Sequence, residues 1–158
     1  MSRVEKELGK LGLKLPEPRK PAGRYVPAKK VGDLVFVSGQ PSTLTLPTGE
    51  VYDFRGKIGR DLTVEEGYEA DEISALNCLA LLKARIGDLD KVESVLKVVG
   101  YVNSADGFRQ QPMVMNGFTE LLEKAFGSER GLPARSAIAI SVEGWWAVEA
   151  EMIVAVSE

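Results

Sequence analysis

Two long amphipathic helix patterns, set among short apolar runs, constrain the fold of this chain more than any other feature. The first covers residues 64–86 and begins with a capping box, in which Thr63 is the cap and Glu66 returns the bond. The second covers residues 112–126, with a proline in its first turn. Each pattern carries one apolar stripe, so each helix is expected to pack one side against the rest of the protein and expose the other to water.

Five apolar or β-branched runs predict strands, at residues 24–28, 34–40, 95–102, 132–140 and 147–156. The run 34–40 is apolar at nearly every position, which indicates burial on both faces. The order β β α β α β β predicts an α+β domain, in which two helices cover one face of a mixed sheet. The strands are too apolar for the other face to meet water, so we expect an oligomer formed through it.

The length of 158 residues suits one domain. Residues 1–22 are expected to form an arm laid on that domain: a short helix capped by Ser2, then a connector that three prolines between positions 16 and 21 keep extended. Residues 23–158 form the domain itself, with a long loop at 41–62 that contains a turn, and Gly100 indicates a bulge in the third strand.

Two compositional facts exclude several kinds of chemistry. The chain has no histidine, which removes histidine-based triads, histidine acid–base catalysis and nearly all zinc sites. Its one cysteine, Cys78, lies in an apolar helical context and is expected to be buried and inert. No metal or other cofactor is therefore predicted.

Net charge and hydropathy limit the classes of partner that the protein is expected to bind. The net charge of −3 argues against nucleic acid as the main partner. No apolar run has the length of a membrane span, and residues 1–6 lack the apolar core of a signal peptide. These features predict a cytoplasmic protein that does not bind membranes.

Arg135 is the first candidate for a binding residue. Along a strand, it shares one face with Ala137 and Ala139, which are small and leave room for a planar anion. A guanidinium offers a fork of donors that matches a carboxylate. The alternatives are an ion pair with an internal acid or a simple position at the strand end.

Two further positions have open interpretations. Gly39, beside Ser38 at the end of a strand, either lets a ligand approach the backbone closely or forms a bulge. Glu149 and Glu151 share a face of the last strand, where each is either a catalytic carboxylate or part of an ion pair.

The chain resembles the RidA/YjgF family, whose members are also named endoribonuclease L-PSP and translation initiation inhibitor-like proteins. The resemblance runs from about residue 23 to residue 156. Five segments carry it in order: Gly23–Val26, Val37–Gln40, Thr48–Glu50, Pro133–Ser136 and Val148–Glu151.

The resemblance implies a chorismate-mutase-like fold and a homotrimer with sites between subunits. It also implies hydrolysis of enamines and imines, such as 2-aminoacrylate, to 2-keto acids and ammonia. By the same resemblance, Arg135 holds the substrate carboxylate and Glu149 positions or activates the water. Tyr25 and the backbone at Ser38 and Gly39 line the pocket.

The chain departs from the family pattern at Ala137, where many relatives have a cysteine. The backbone amide of Ala137 is still a candidate for carboxylate binding. Asn116, on the second helix, is a further candidate for the cleft. Trp145 and Trp146 replace a polar turn, and either line the pocket, lie in a subunit interface or pack in the core.

The chemistry agrees with the implied activity. An iminium carbon is already electrophilic, so its hydrolysis needs a placed water, a proton acceptor and a grip on the carboxylate. None of these requires a metal, a cofactor or histidine. Two alternatives remain: non-catalytic binding of a small carboxylate metabolite, and an endoribonuclease or translation inhibitor, which the acidic charge disfavours.

The spacing of the two charged candidates is informative. If the last two strands formed a simple hairpin about Gly144, Glu149 would lie opposite Ala139 and about 14 Å from Arg135. Either the strands are not hairpin neighbours, or the arginine of one chain meets the glutamate of another. The second option predicts a site between subunits.

Overall fold

A five-stranded mixed sheet with two long helices on one face forms the centre of the molecule, and the computed structural model describes residues 1–158. The predicted α+β class is confirmed. In chain order the elements are α1 (Arg3–Lys10), β1 (Ala28–Val31), β2 (Leu34–Pro41), β3 (Thr43–Thr45), β4 (Val51–Asp53), α2 (Val64–Ile86), a 3₁₀ turn (Leu89–Lys91), β5 (Val92–Asn103), α3 (Gln111–Phe126), α4 (Ser128–Gly131), β6 (Ala134–Ile140) and β7 (Val148–Val156).

The strand order in the sheet is β1-β2-β7-β5-β6. β5 and β6 are parallel, and the other neighbours are antiparallel. β5 therefore lies between β6 and β7. Its residue Val98 pairs with Arg135 of β6 on one side and with Met152 of β7 on the other. The first of the two options is confirmed, since the last two strands are not hairpin neighbours. The second, in which the arginine of one chain meets the glutamate of another, stays a prediction.

Both long helices pack on the same face of the sheet. The thiol of Cys78, on α2, is buried and donates to the carbonyl oxygen of Ala150 on β7, as its apolar context predicted. On β5, Gly100 has no side chain, so Met115 of α3 packs directly against the backbone there. A Cβ at this position would collide with the Met115 sulfur. The predicted bulge at Gly100 is wrong. The irregularities of β5 lie earlier, before Lys97.

The ends of α2 follow the predicted signals. Thr63 Oγ1 accepts from the backbone N–H of Glu66 at 3.1 Å, and the Glu66 carboxylate accepts from the N–H of Thr63 at 2.8 Å. At the other end, Gly87 has a φ of 84°, a left-handed value that glycine adopts without strain.

Two predictions before α2 need correction. The first strand begins at Ala28 rather than at position 24, because Pro27 has no N–H and pairs only through its carbonyl, which accepts from Ser38. The predicted loop 41–62 contains the hairpin of β3 and β4. These strands are short, and β4 is exposed throughout, so they lack the apolar pattern that marks a strand.

The first helix is anchored to the domain. Ser2 caps α1, as predicted, and Val4 and Leu8 are buried. The carboxylate of Asp90 accepts from the backbone N–H groups of Arg3 and Val4. The division into an arm and a domain at residue 22 stays a prediction.

No helix covers the second face of the sheet. Exposed apolar side chains include Val31, Phe36 and Ile138, which are 60%, 43% and 42% exposed. A single chain therefore leaves apolar side chains of the sheet in contact with water. The prediction of an oligomer was based on such an exposed face. None of the helices combines the length and hydropathy that crossing a bilayer requires.

Candidate functional site

Arg135 lies on the helix-facing side of β6, the edge strand, and is held by α3. Its Nη1 donates to Asn116 Oδ1 at 2.9 Å and to Thr119 Oγ1 at 3.1 Å. Its Nη2 donates to the carbonyl oxygen of Pro112 at 3.0 Å. Three neutral acceptors therefore fix the plane of the guanidinium.

Arg135 keeps N–H donors without partners, and its positive charge has no anionic partner. Both Nη1 N–H groups and one Nη2 N–H have partners, which leaves Nε–H and the second Nη2–H for a ligand. Arg135 forms no ion pair, so the alternative of an internal salt bridge is wrong. Ala137 follows on the same face, paired with Gly100, and is partly buried against the core.

A buried carboxyl lies behind this arginine. Asp71, on α2, is fully buried and accepts from the backbone N–H of Phe118 at 2.8 Å, while its Oδ1 has no partner. Burial raises the pKa of Asp71 well above its usual value, and the Phe118 hydrogen bond and the charge of Arg135 oppose that shift.

Glu149 lies on the opposite face of the sheet, in β7. Its neighbours Val148 and Ala150 are buried under the helices, so Glu149 points to the uncovered side. It packs against Gly39, where a Cβ would lie 3.1 Å from its Oε1. The register of β2 against β7 shifts between Val37 and Gln40, so the interpretation of Gly39 as part of a bulge is confirmed. The close approach of a ligand to its backbone stays a prediction.

The Glu149 carboxylate is partly buried and has no cationic partner in its own chain. Burial raises the pKa of Glu149 above its ordinary value, and the charge of Glu151 adds to the rise. A carboxylate in such surroundings is a better proton acceptor than one in water.

A cleft of about 80 Å³ opens beside Glu149. Tyr25, Ser38 and Gly39 line it, and their part in a substrate pocket stays a prediction. Trp146 forms another wall, with the Arg55 guanidinium 5.1 Å from its ring. The full lining is Arg19, Lys20, Pro21, Ala22, Tyr25, Pro27, Ser38, Gly39, Gln40, Pro41, Trp146 and Glu149.

The candidates thus form two groups that one chain does not join. Asn116 and Ala137 accompany Arg135 on the helix side of the sheet, whereas Tyr25, Ser38 and Gly39 accompany Glu149 on the other side. We call these the arginine half-site and the glutamate half-site. Glu149 on β7 pairs with Tyr101 on β5, so the whole of β5 lies between Glu149 and the strand β6 that carries Arg135.

Sequence reasoning missed four contributors. Thr119 and the Pro112 carbonyl hold the arginine, and the spacing of Thr119 three residues after Asn116 on one helix face was an available signal. Arg19 and Lys20 reach the glutamate half-site from the N-terminal segment. No local pattern marks that contact, because the chain folds back over a long separation in sequence.

Comparison with known proteins gives consistent matches over most of the chain. The family model described as "YjgF/chorismate_mutase-like, putative endoribonuclease" matches residues 5–143. Protein TCP17 of Trypanosoma cruzi is 39% identical over 140 residues, which are 88% of this chain and 84% of that protein.

Solved structures agree. Atu1372 of Agrobacterium tumefaciens, a protein of unknown function, is 35% identical with a TM-score of 0.85, covering 98% of this chain and 93% of its own. A "putative endoribonuclease" of Shewanella oneidensis MR-1 is 28% identical with a TM-score of 0.88, covering 97% of this chain and 99% of its own. The chain belongs to the RidA/YjgF family.

Proposed function

We propose that this protein hydrolyses small imines and enamines that carry a carboxylate, of the 2-aminoacrylate type, to 2-keto acids and ammonia. The observation that carries the proposal is the partly buried, unpaired Glu149 carboxylate packed against the Gly39 backbone. A carboxylate kept free of cations beside a cleft can accept a proton from a water that attacks the substrate.

The reaction uses Glu149 twice. Water adds to the iminium carbon, a C–O bond forms, and Glu149 takes the proton that the water loses. The protonated Glu149 then gives this proton to the amine nitrogen. The C–N bond breaks and ammonia leaves, while the regenerated Glu149 carboxylate takes the hydroxyl proton as the carbonyl forms and later releases it to solvent. The raised pKa of Glu149 favours this role, since a more basic carboxylate takes up the proton of the attacking water more readily.

Arg135 supplies the grip on the substrate. Its free Nε–H and Nη2–H match the two oxygens of a carboxylate, and the three acceptors on the other side hold the guanidinium plane still. The charge of a carboxylate also completes the neutralisation of an arginine that has only neutral partners.

The complete site needs a second copy of the chain. Arg135 and Glu149 lie on opposite faces of one sheet, so a substrate small enough for the cleft does not reach both within one chain. In the proposed homotrimer, the arginine half-site of one subunit faces the glutamate half-site of its neighbour. The uncovered apolar sheet face supports such an assembly.

The second candidate is non-catalytic binding of a small carboxylate, which the ready donors of Arg135 favour on their own. The endoribonuclease activity in the family description has less support. The chain has a net charge of −3 and no histidine, so it lacks the usual means of holding a phosphate backbone and of moving protons in RNA cleavage.

The test is release of ammonia while a dehydratase generates 2-aminoacrylate in situ. Wild type should accelerate the release, and Arg135→Ala should abolish the acceleration. If wild type gives no acceleration but 2-keto acids still raise its melting temperature, binding without turnover is the better account. Degradation of RNA at moderate salt would instead support the nuclease.

A further inference from the structure

Two cations from the N-terminal segment lie at the glutamate half-site. Arg19 and Lys20 line the same cleft as Glu149, although about 130 residues separate them in sequence. They bring positive charge to a cleft whose other charged wall is a carboxylate.

The segment that carries them is held in place. Pro16, Pro18 and Pro21 restrict its backbone to extended conformations. The guanidinium of Arg19 contacts the carbonyl oxygen of Thr43 at 3.4 Å. Just after the two cations, the backbone N–H of Ala22 donates to the hydroxyl of Tyr25 at 3.2 Å, a local bond that fixes the path of the chain between the cations and Tyr25 at the cleft wall. The cations are therefore presented by a restrained chain and not by a free tail.

Neither cation has a carboxylate partner. No ion pair in the structure includes Arg19 or Lys20, and the one acceptor of Arg19 is a neutral carbonyl. Glu149 is also without an ion pair, so the cations share its cleft without neutralising it. An anionic group that entered the cleft would therefore meet two cations that no ion pair neutralises, on the side away from the Glu149 carboxylate that faces the imine.

We propose that the substrate carries a second anionic group, and that Arg19 and Lys20 bind it. This inference rests on the proposed function and specifies its substrate class. The carboxylate next to the imine is gripped by Arg135 of the neighbouring subunit, and a distal carboxylate or phosphate extends toward Arg19 and Lys20. The preferred imine is then that of an acidic amino acid, and its products are a keto diacid and ammonia.

The chemistry at the imine is unchanged by this addition. Water supplies the carbonyl oxygen, and Glu149 carries one proton from the water to the departing nitrogen and then accepts the hydroxyl proton as the carbonyl forms. The distal anion takes no part in bond making. Its contribution is to affinity and orientation, which should appear mainly in kcat/KM. An upstream reaction that oxidises an acidic amino acid, or that dehydrates its β-hydroxy derivative, would supply such an imine.

The experiment compares two imines made in situ by amino-acid oxidases, one from aspartate and one from alanine, with unhydrolysed imine trapped as its semicarbazone. The variant is Arg19→Ala combined with Lys20→Ala. The matched control is Lys6→Ala with Lys10→Ala, which removes the same charge from α1, away from the cleft. A charge-preserving variant, Arg19→Lys with Lys20→Arg, completes the set.

We expect wild type to prefer the aspartate imine, and the double alanine variant to lose about tenfold in kcat/KM for it, because partly exposed ion pairs are individually modest. Hydrolysis of the alanine imine should change little, and both other variants should behave as wild type. Equal use of the two imines by wild type, or an unchanged preference in the double alanine variant, would overturn the proposal.

A binding measurement separates this proposal from the proposed function. The melting temperature is measured with 2-oxoglutarate and with 2-oxobutanoate, which differ in the distal carboxylate. Stronger protection by the diacid, lost in the double alanine variant, supports the second anionic group even if no imine is hydrolysed. Equal protection by the two acids, or none by either, contradicts it.

Discussion

The arginine and glutamate half-sites differ in how completely one chain builds them. Arg135 is held by three neutral acceptors on the covered face of the sheet, and its remaining donors have no partner in the chain. Glu149 lies on the uncovered face, partly buried and without a cation. A group that grips a substrate works best when fixed, whereas a proton acceptor must stay free of strong partners. One chain therefore fixes Arg135 on one face of the sheet and leaves Glu149 unpaired on the other.

The largest expected effect is at the glutamate half-site. Glu149→Gln should lower kcat by about 10²–10⁴-fold, because the amide does not accept the proton. Glu151→Gln is the matched control on the same strand face and should keep most activity. Comparable losses in the two variants would mean that neither carboxylate acts as the specific proton acceptor. Activity would then depend only on the total negative charge of this strand face.

The same substitution should stabilise the fold at neutral pH. Burial raises the folded-state pKa of Glu149, so its contribution to stability falls as pH rises from the unfolded pKa through the folded one. Glu149→Gln should unfold at higher urea than wild type at pH 7 and at similar urea at pH 4. Equal midpoints at pH 7 would show that the carboxylate is not destabilised by its surroundings.

The arginine half-site is tested by Arg135→Lys, which keeps the charge and loses the fork of donors. We expect a loss of about 100-fold in kcat/KM, the scale of the charge-assisted hydrogen bonds removed. Thr119→Val, which removes one of the three acceptors and keeps the guanidinium, should cost much less. Full activity in Arg135→Lys would show that charge alone holds the substrate.

A smaller effect is expected from Gly39→Ala, which places a methyl group 3.1 Å from Glu149 Oε1 and moves the carboxylate by a few tenths of an ångström. We expect kcat to fall about tenfold, since misplacement of a reacting group is costly. The control is Gly9→Ala, where a Cβ meets nothing within 4 Å. An unchanged kcat in Gly39→Ala would show that the contact with Gly39 does not position Glu149.

The smallest effect on activity is expected behind the arginine. Burial raises the pKa of Asp71 well above its usual value in the folded protein. The free energy of unfolding should therefore fall as the pH rises above the pKa that this carboxyl has in the unfolded chain. Asp71→Asn should leave the unfolding free energy unchanged at pH 4 and raise it by about 1 kcal/mol or more at pH 8. A loss of stability at pH 8 would instead indicate an ionised Asp71 that attracts Arg135.

Local signals predicted the helices well. The Thr63 capping box and Gly87 fix the ends of α2 through bonds within a few residues, so the sequence pattern alone is sufficient there. The face of Arg135 and the close approach at Gly39 also follow from alternation and from the lack of a side chain. These properties depend on near neighbours along the chain.

Contacts between distant segments were not predictable in the same way. The insertion of β5 between β6 and β7 separates Arg135 from Glu149, and no residue in either strand signals it. The approach of Arg19 to the cleft likewise depends on the path of the whole N-terminal segment. The hairpin of β3 and β4 was missed because exposed strands lack an apolar face.

The most direct test of shared sites is subunit mixing. Arg135→Ala and Glu149→Ala, each inactive alone, are unfolded together in equal amounts, refolded, and assayed for ammonia release from 2-aminoacrylate. If one subunit supplies the arginine and its neighbour the glutamate, random assembly leaves about a quarter of the clefts with both residues, and a similar share of wild-type activity returns. No regained activity, from mixtures shown to contain both chains in one oligomer, would contradict the account.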